Sequence, residues 1–184
     1  MQRLVRAMAL LAFGATDSLR AEESPYRGME ARGIKALSSQ QIADLLAGRG
    51  MGQALPGELN GYPGPKHVLD LAGELALIAE QAAAIRASFD GMQSRAIELG
   101  KQVVEAEDNL DRLFADGSVT NDSLNAATAR IGKLNGELRA VHLLAHLETR
   151  ALLTPEQRSR YQSLRGYSDG HGSAAGHRAH HDGR

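Results

Sequence analysis

The sequence predicts an all-α fold organised as a long antiparallel helical hairpin with shorter flanking helices. Over residues 78–113 apolar side chains recur alternately four and three residues apart, and the same spacing returns over residues 124–152. A sustained seven-residue repeat is typical of a helix whose apolar stripe faces a partner helix. Between the stripes stands an Ala-Asp-Gly-Ser turn in which Gly117 suits the left-handed closing position of a helix. Two matched stripes joined by a short turn indicate two antiparallel helices in contact.

Residues 22–65, which precede the hairpin, contain one predicted short helix and a region rich in glycine and proline. Ser38 can cap a helix whose first turn holds Gln41, and a glycine from residue 48 onward should end it. Residues 51–65 predict turns. They form either a strap that lies on the helices or a mobile linker. A further helix is expected over residues 67–76, and it either ends before Ile78 or continues with a bend.

A strong helix restart follows the second long helix, in the motif Leu153-Thr154-Pro155-Glu156-Gln157. Thr154 can accept a hydrogen bond from the new first turn, and Gln157 can reach back to the cap. Pro155 occupies the first helical position, where its missing N–H is not needed. These residues predict a capped helix that begins immediately after the hairpin.

The Leu-Thr-x-x-Gln pattern resembles the signature of the CpxP/Spy family of periplasmic chaperones, which share a helical hairpin with ZraP- and CnrX-type metal-responsive proteins. A second copy keeps Leu77 and Gln81 but has Ile78 where the capping hydroxyl should be. The resemblance covers residues 66–167 and implies an LTxxQ-type fold. It also implies a homodimer and ATP-independent binding of unfolded or misfolded envelope proteins.

The first residues resemble a secretory signal peptide, residues 1–21. Arg3 and Arg6 precede a short apolar stretch over residues 7–15, and Ala21 suits cleavage. The stretch is too short to span a bilayer, and its other interpretation is a buried N-terminal helix. Removing residues 1–21 takes away three arginines and one aspartate, so the formal net charge changes from −1 to −3. We therefore expect a periplasmic protein that has no transmembrane segment after signal removal and binds no nucleic acid.

Histidines are the main candidates for chemistry, because the chain has no cysteine and no recognisable nucleophile, phosphate loop or dinucleotide motif. His142 and His146 lie four apart on one helix face and can place two imidazoles on one metal ion. The tail, residues 168–184, is predicted to be disordered and carries further candidate ligands, namely His171, His177, His180 and His181. The plainer alternatives are that His142 and His146 only pack at a helix interface, and that the tail only keeps the protein in solution. We expect no enzyme activity and no required cofactor, with zinc, copper or nickel as the candidate metals.

Chaperone activity is thus the leading functional hypothesis, in which clients bind weakly to an amphiphilic helical face. The first alternative is a periplasmic sensor or buffer for zinc, copper or nickel. The second is an adaptor that docks on a sensor kinase through the same hairpin.

Overall fold

The computed structural model describes residues 24–167, which contain six α-helices, one 3-10 turn and no strand. The all-α prediction is confirmed. The helices are α1 (Ser39–Leu46), α2 (Leu55–Glu58), α3 (Pro65–Asp70), α4 (Ala79–Ala115), α5 (Asn121–Leu152) and α6 (Pro155–Leu164). Within residues 24–167 no helix combines the length and apolar character needed to cross a membrane. The predicted signal peptide and the histidine-rich tail lie outside the described residues.

The two long helices, α4 and α5, pack against each other and form the centre of the molecule. They run in opposite directions, as shown by the hydrogen bond that Ser88 near the start of α4 donates to Glu148 near the end of α5. Gly117, with φ +64°, ends the turn after α4, and the Thr120 side chain caps α5. Small and medium apolar side chains fill the contact; Ala96, Leu99, Val103, Ala106, Leu134 and Leu138 are all buried there. The apolar repeat therefore marks the surface between these helices.

Helix α1 lies directly on the backbone of α4. A Cβ atom placed on Gly100 would be 2.1 Å from the carbonyl oxygen of Leu45, so only glycine permits this approach. The Leu45 side chain completes the apolar core between α4 and α5. Ser38 caps α1 as the sequence indicates, accepting from the backbone of Gln41, while the Gln41 side chain accepts from the backbone of Ser38.

The glycine- and proline-rich segment lies against α5, which decides between the two interpretations of residues 51–65 in favour of a strap. Arg150 donates to the carbonyl oxygen of Gly61 at 2.6 Å, and its guanidinium lies 4.5 Å from the centre of the Tyr62 ring. His146 Nδ1 is 2.7 Å from the carbonyl oxygen of Tyr62. These contacts hold the strap on one face of α5.

The helix expected over residues 67–76 is shorter than predicted, since α3 ends at Asp70. The chain then turns, and Ala76 adopts a positive φ of 49° before Ile78, the N-cap residue of α4. The turns carry Leu75 into a second buried cluster with Val68, Ile85, Leu153 and Tyr161. The free energy gained by burying Leu75 exceeds that of continuing the helix. The local apolar periodicity does not reveal this contact, because the cluster includes residues far along the chain.

Candidate functional site

The structure brings the two Leu-x-x-x-Gln copies together at one end of the α4–α5 pair. Thr154 and Gln157 form a complete capping box. The Thr154 hydroxyl oxygen accepts from the backbone N–H of Gln157 at 3.2 Å, and Gln157 Oε1 accepts from the backbone N–H of Thr154 at 2.9 Å. At the other copy the Ile78 backbone donates to Gln81 Oε1 at 3.3 Å. Isoleucine offers no acceptor, so only half of the reciprocal capping pair forms there.

Gln81 and Gln157 hydrogen-bond to each other through both of their amide groups, at 2.9 Å and 3.0 Å. Each side chain also donates to a backbone carbonyl just before the other copy of the motif. Gln81 donates to the Leu152 carbonyl at 2.7 Å, and Gln157 donates to the Leu75 carbonyl at 3.3 Å. Together with the caps, these bonds satisfy all donors and acceptors of both amides. We call this arrangement the amide pair.

The remaining motif residues divide between core and surface. Leu153 is buried in the second cluster and Leu77 packs against it. Thr154, Pro155 and Glu156 are exposed in the first turn of α6. Hydrogen bonds from its own backbone and from the Thr154 side chain lower the pKa of Glu156. The motif therefore acts locally as a helix start, while its leucines and glutamines join α4 to α6.

A buried carboxylate, Glu58, connects the strap to α3, α5 and α6, although the sequence analysis assigned it no role. Its oxygens accept from the Tyr161 hydroxyl and, at 3.0 Å, from the backbone N–H of Gly64. His67 and Arg165 each approach it to 3.6–3.7 Å. Burial, followed by the bond to Glu58, raises the pKa of Tyr161, so its hydroxyl stays protonated and donates.

Tyr161 is separated from Glu58 by 103 residues, and the residues between them show no pattern that links the two. The only sequence signal is an acidic residue within a glycine- and proline-rich segment. That signal is equally typical of an exposed turn.

His142 and His146 both face the strap, but they differ in their partners. The Tyr62 carbonyl can only accept, so His146 carries its hydrogen on Nδ1. His142 is 5% exposed, and its Nε2 is buried with no hydrogen-bond partner. Burial, with a smaller contribution from His146, lowers the pKa of His142.

The arrangement of these histidines does not provide a complete metal site. Within residues 24–167 no three or more His, Cys, Asp or Glu residues are grouped to hold a metal ion. Glu58 Oε2 is 3.7 Å from His146 Nδ1, but that nitrogen already donates to Tyr62. The four tail histidines, His171, His177, His180 and His181, lie outside the described residues.

A second face of α5 is apolar and exposed. Leu144 and Leu147 are 54% and 51% exposed, and the exposed Ala140 and Ala151 continue the same stripe. Leu144 follows His142 by two residues, which places it about 200° around the helix from the strap. We call this the outer face of α5.

No protein-family model, curated protein or solved structure matches the chain. Its function must therefore be inferred from the geometry of its own residues.

Proposed function

We propose that this protein is an exported, ATP-independent chaperone with an LTxxQ-type helical hairpin, which binds partly unfolded proteins on the outer face of α5. The observation that carries the proposal is the exposure of Leu144 and Leu147. Apolar side chains that remain about half exposed on a long rigid helix offer contact area to unfolded segments. The strap covers a different face, so it leaves this one accessible.

Contacts of this type are individually weak, which suits reversible holding of a client. Burying the remaining exposed half of one leucine contributes about 1 kcal/mol, or roughly fivefold in Kd. Lys133 continues the stripe toward the start of α5, and Glu148 borders it. They keep the face hydrated when no client is bound. A client can therefore exchange on and off and fold between encounters.

The test is light scattering of an aggregating client with the purified protein, without ATP and with EDTA. We expect suppression at near-stoichiometric amounts, and a loss of suppression in the double variant Leu144→Gln/Leu147→Gln. The matched control is Leu59→Gln, which changes a leucine of the strap that is 50% exposed. Circular dichroism checks that all variants remain helical.

Each other result favours a different function. Suppression that requires added zinc would favour the metal sensor or buffer, and deletion of residues 168–184 would then abolish zinc binding. No suppression under either condition would favour the adaptor. Equal suppression by the wild type and the outer-face variant would refute the outer face as the client site. Light scattering of the purified protein alone measures whether it forms the expected homodimer.

A further inference from the structure

An open cleft of about 670 Å³ lies between the strap and the two long helices. Phe89 and Met92 of α4 form one wall, and Met51 and Leu55 of the strap form the other. Met51 and Leu55 are 43% and 53% exposed, so the strap presents apolar side chains to this space. Small-molecule sites are concave and mostly apolar, have volumes of about 300–1,000 Å³, and contain a few placed polar groups. The cleft has this character.

His142 supplies the placed polar group. It lines the cleft, and the residue is 95% buried. Its Nε2 is buried without a partner, and its Nδ1 also bonds to no group in residues 24–167. The Nδ1–Cε1 edge of the ring faces Gly50, since a Cβ built on that glycine would be 3.9 Å from Nδ1. Buried polar groups in folded proteins nearly always have a partner, so a largely buried imidazole without one needs an explanation. Of its two nitrogens, Nδ1 is the one that faces Gly50 and is placed to bond a ligand in the cleft.

Charges around the cleft favour an uncharged ligand. Arg49 pairs with Asp44, and Lys66 pairs with Asp70 at 2.7 Å. The Glu58 carboxylate is already bonded on both oxygens. A charged ligand would lose its hydration without gaining a free counter-charge from these groups.

The hydrogen-bonding groups of the His142 ring further restrict which kind of polar group the ligand can carry. Burial favours the neutral ring, which carries one donor and one acceptor nitrogen. A hydroxyl group can bond whichever of these faces the cleft, because a hydroxyl both donates and accepts. Phe89 and the methionine sulfurs favour an aromatic body, through ring packing and sulfur–aromatic contact.

We propose that this cleft binds a small uncharged phenol, with its ring between Phe89, Met92 and the strap and its hydroxyl bonded to His142 Nδ1. The site goes beyond the chaperone function, because it uses the strap-facing side of α5 and not the outer face. It also gives the strap a role in enclosing a ligand.

The test compares 4-ethylphenol with 4-ethyltoluene, in which a methyl group replaces the hydroxyl. The full chain is titrated with each in EDTA, and backbone amide and histidine ring ¹⁵N shifts are followed by NMR. We expect shifts at residues 48–52 and at the His142 ring, and about 2- to 12-fold tighter binding of the phenol, the range for one neutral hydrogen bond.

Two variants separate the hydrogen bond from the space. In His142→Leu we expect the phenol to lose its preference and 4-ethyltoluene to bind at least as tightly, because a buried hydroxyl without a partner loses its hydration and a methyl group does not. In Gly50→Leu the new side chain fills the cleft beside His142, and both compounds should lose binding. The control Gly73→Leu changes an exposed glycine with open space around it and should bind as the wild type does.

Three results would overturn the proposal. They are the absence of shifts at residues 48–52 up to the solubility of the phenol, a phenol preference that survives in His142→Leu, and undiminished binding in Gly50→Leu.

Discussion

The amide pair makes a quantitative prediction about how α4 and α6 are joined. We consider Gln81→Met and Gln157→Met, singly and together, because methionine keeps the length and helix propensity of glutamine but cannot hydrogen-bond in the same way. Each single change removes both bonds between the two amides and leaves the remaining amide with two unmatched groups. Both side chains are partly buried, so water replaces those bonds incompletely.

The expected magnitude follows from the number of groups left without a partner. Removing one partner of a partly buried hydrogen-bonded pair costs about 1–3 kcal/mol. In the double variant neither amide remains unmatched, but the backbone bonds of both glutamines are lost, so its cost should exceed that of either single variant and fall short of their sum. The coupling free energy between the two sites should then be about 1–2 kcal/mol. Urea unfolding followed by circular dichroism at 222 nm measures it, and this signal suits a chain without tryptophan.

The matched control is Gln102→Met on the same helix. Gln102 bonds only within α4, to the Glu98 carbonyl at 3.5 Å, so the change should alter the free energy of unfolding by less than about 0.5 kcal/mol. Additive costs of the two motif changes would show that the amides do not interact in solution. That result would refute the reasoning given for the motif glutamines.

Other substitutions test the cap, the backbone contact, the buried carboxylate and the buried histidine. Ile78→Thr supplies the missing cap acceptor at a 59% exposed position and should raise the free energy of unfolding in urea by about 1 kcal/mol. Gly100→Ala should lower the free energy of unfolding by about 1–3 kcal/mol or more, because the new methyl group would clash with the Leu45 carbonyl. This loss outweighs the better helix propensity of alanine. Tyr161→Phe should lower the free energy of unfolding by about 1–3 kcal/mol, since a Glu58 oxygen loses its donor, and a loss below 0.5 kcal/mol would contradict that bond. The folded state lowers the pKa of His142 below 6.5, so the unfolded chain binds more protons there and stability falls as pH drops below about 6.5. His142→Leu should therefore reduce the fall measured between pH 7.5 and 5.5, by at most about 1.4 kcal/mol per pH unit.

The long helices could be predicted from sequence because the information that defines them is local and repeated. Each turn of α4 and α5 contributes an apolar side chain to one stripe, and the caps at Ser38 and Thr154 are encoded within four residues. These elements lie close to their predicted bounds. The end of α3 was predicted less well, because burial of Leu75 depends on residues far along the chain.

The site was less predictable than the fold. The sequence indicated Gln157 as a residue that reaches back to a cap and Gln81 as its counterpart in the second copy, but not that they bond to each other across 76 residues. It indicated that His142 and His146 share a face, but not that the strap covers them. Both outcomes depend on how separate segments pack, and no local spacing records this.

The amide pair also decides how far one long helix can slide along the other. Alanines such as Ala96, Ala106 and Ala145 make the contact surface shallow, so side-chain interlocking alone opposes an axial shift only weakly. The turn over residues 116–120 fixes one end covalently, and the amide pair fixes the other through directional bonds, of which that from Gln81 to the Leu152 carbonyl reaches α5 directly. Register is thus set at both ends of the α4–α5 pair. The central part of the α4–α5 contact can therefore consist of small side chains without loss of register. The strap then contacts α5 at one fixed position along the helix.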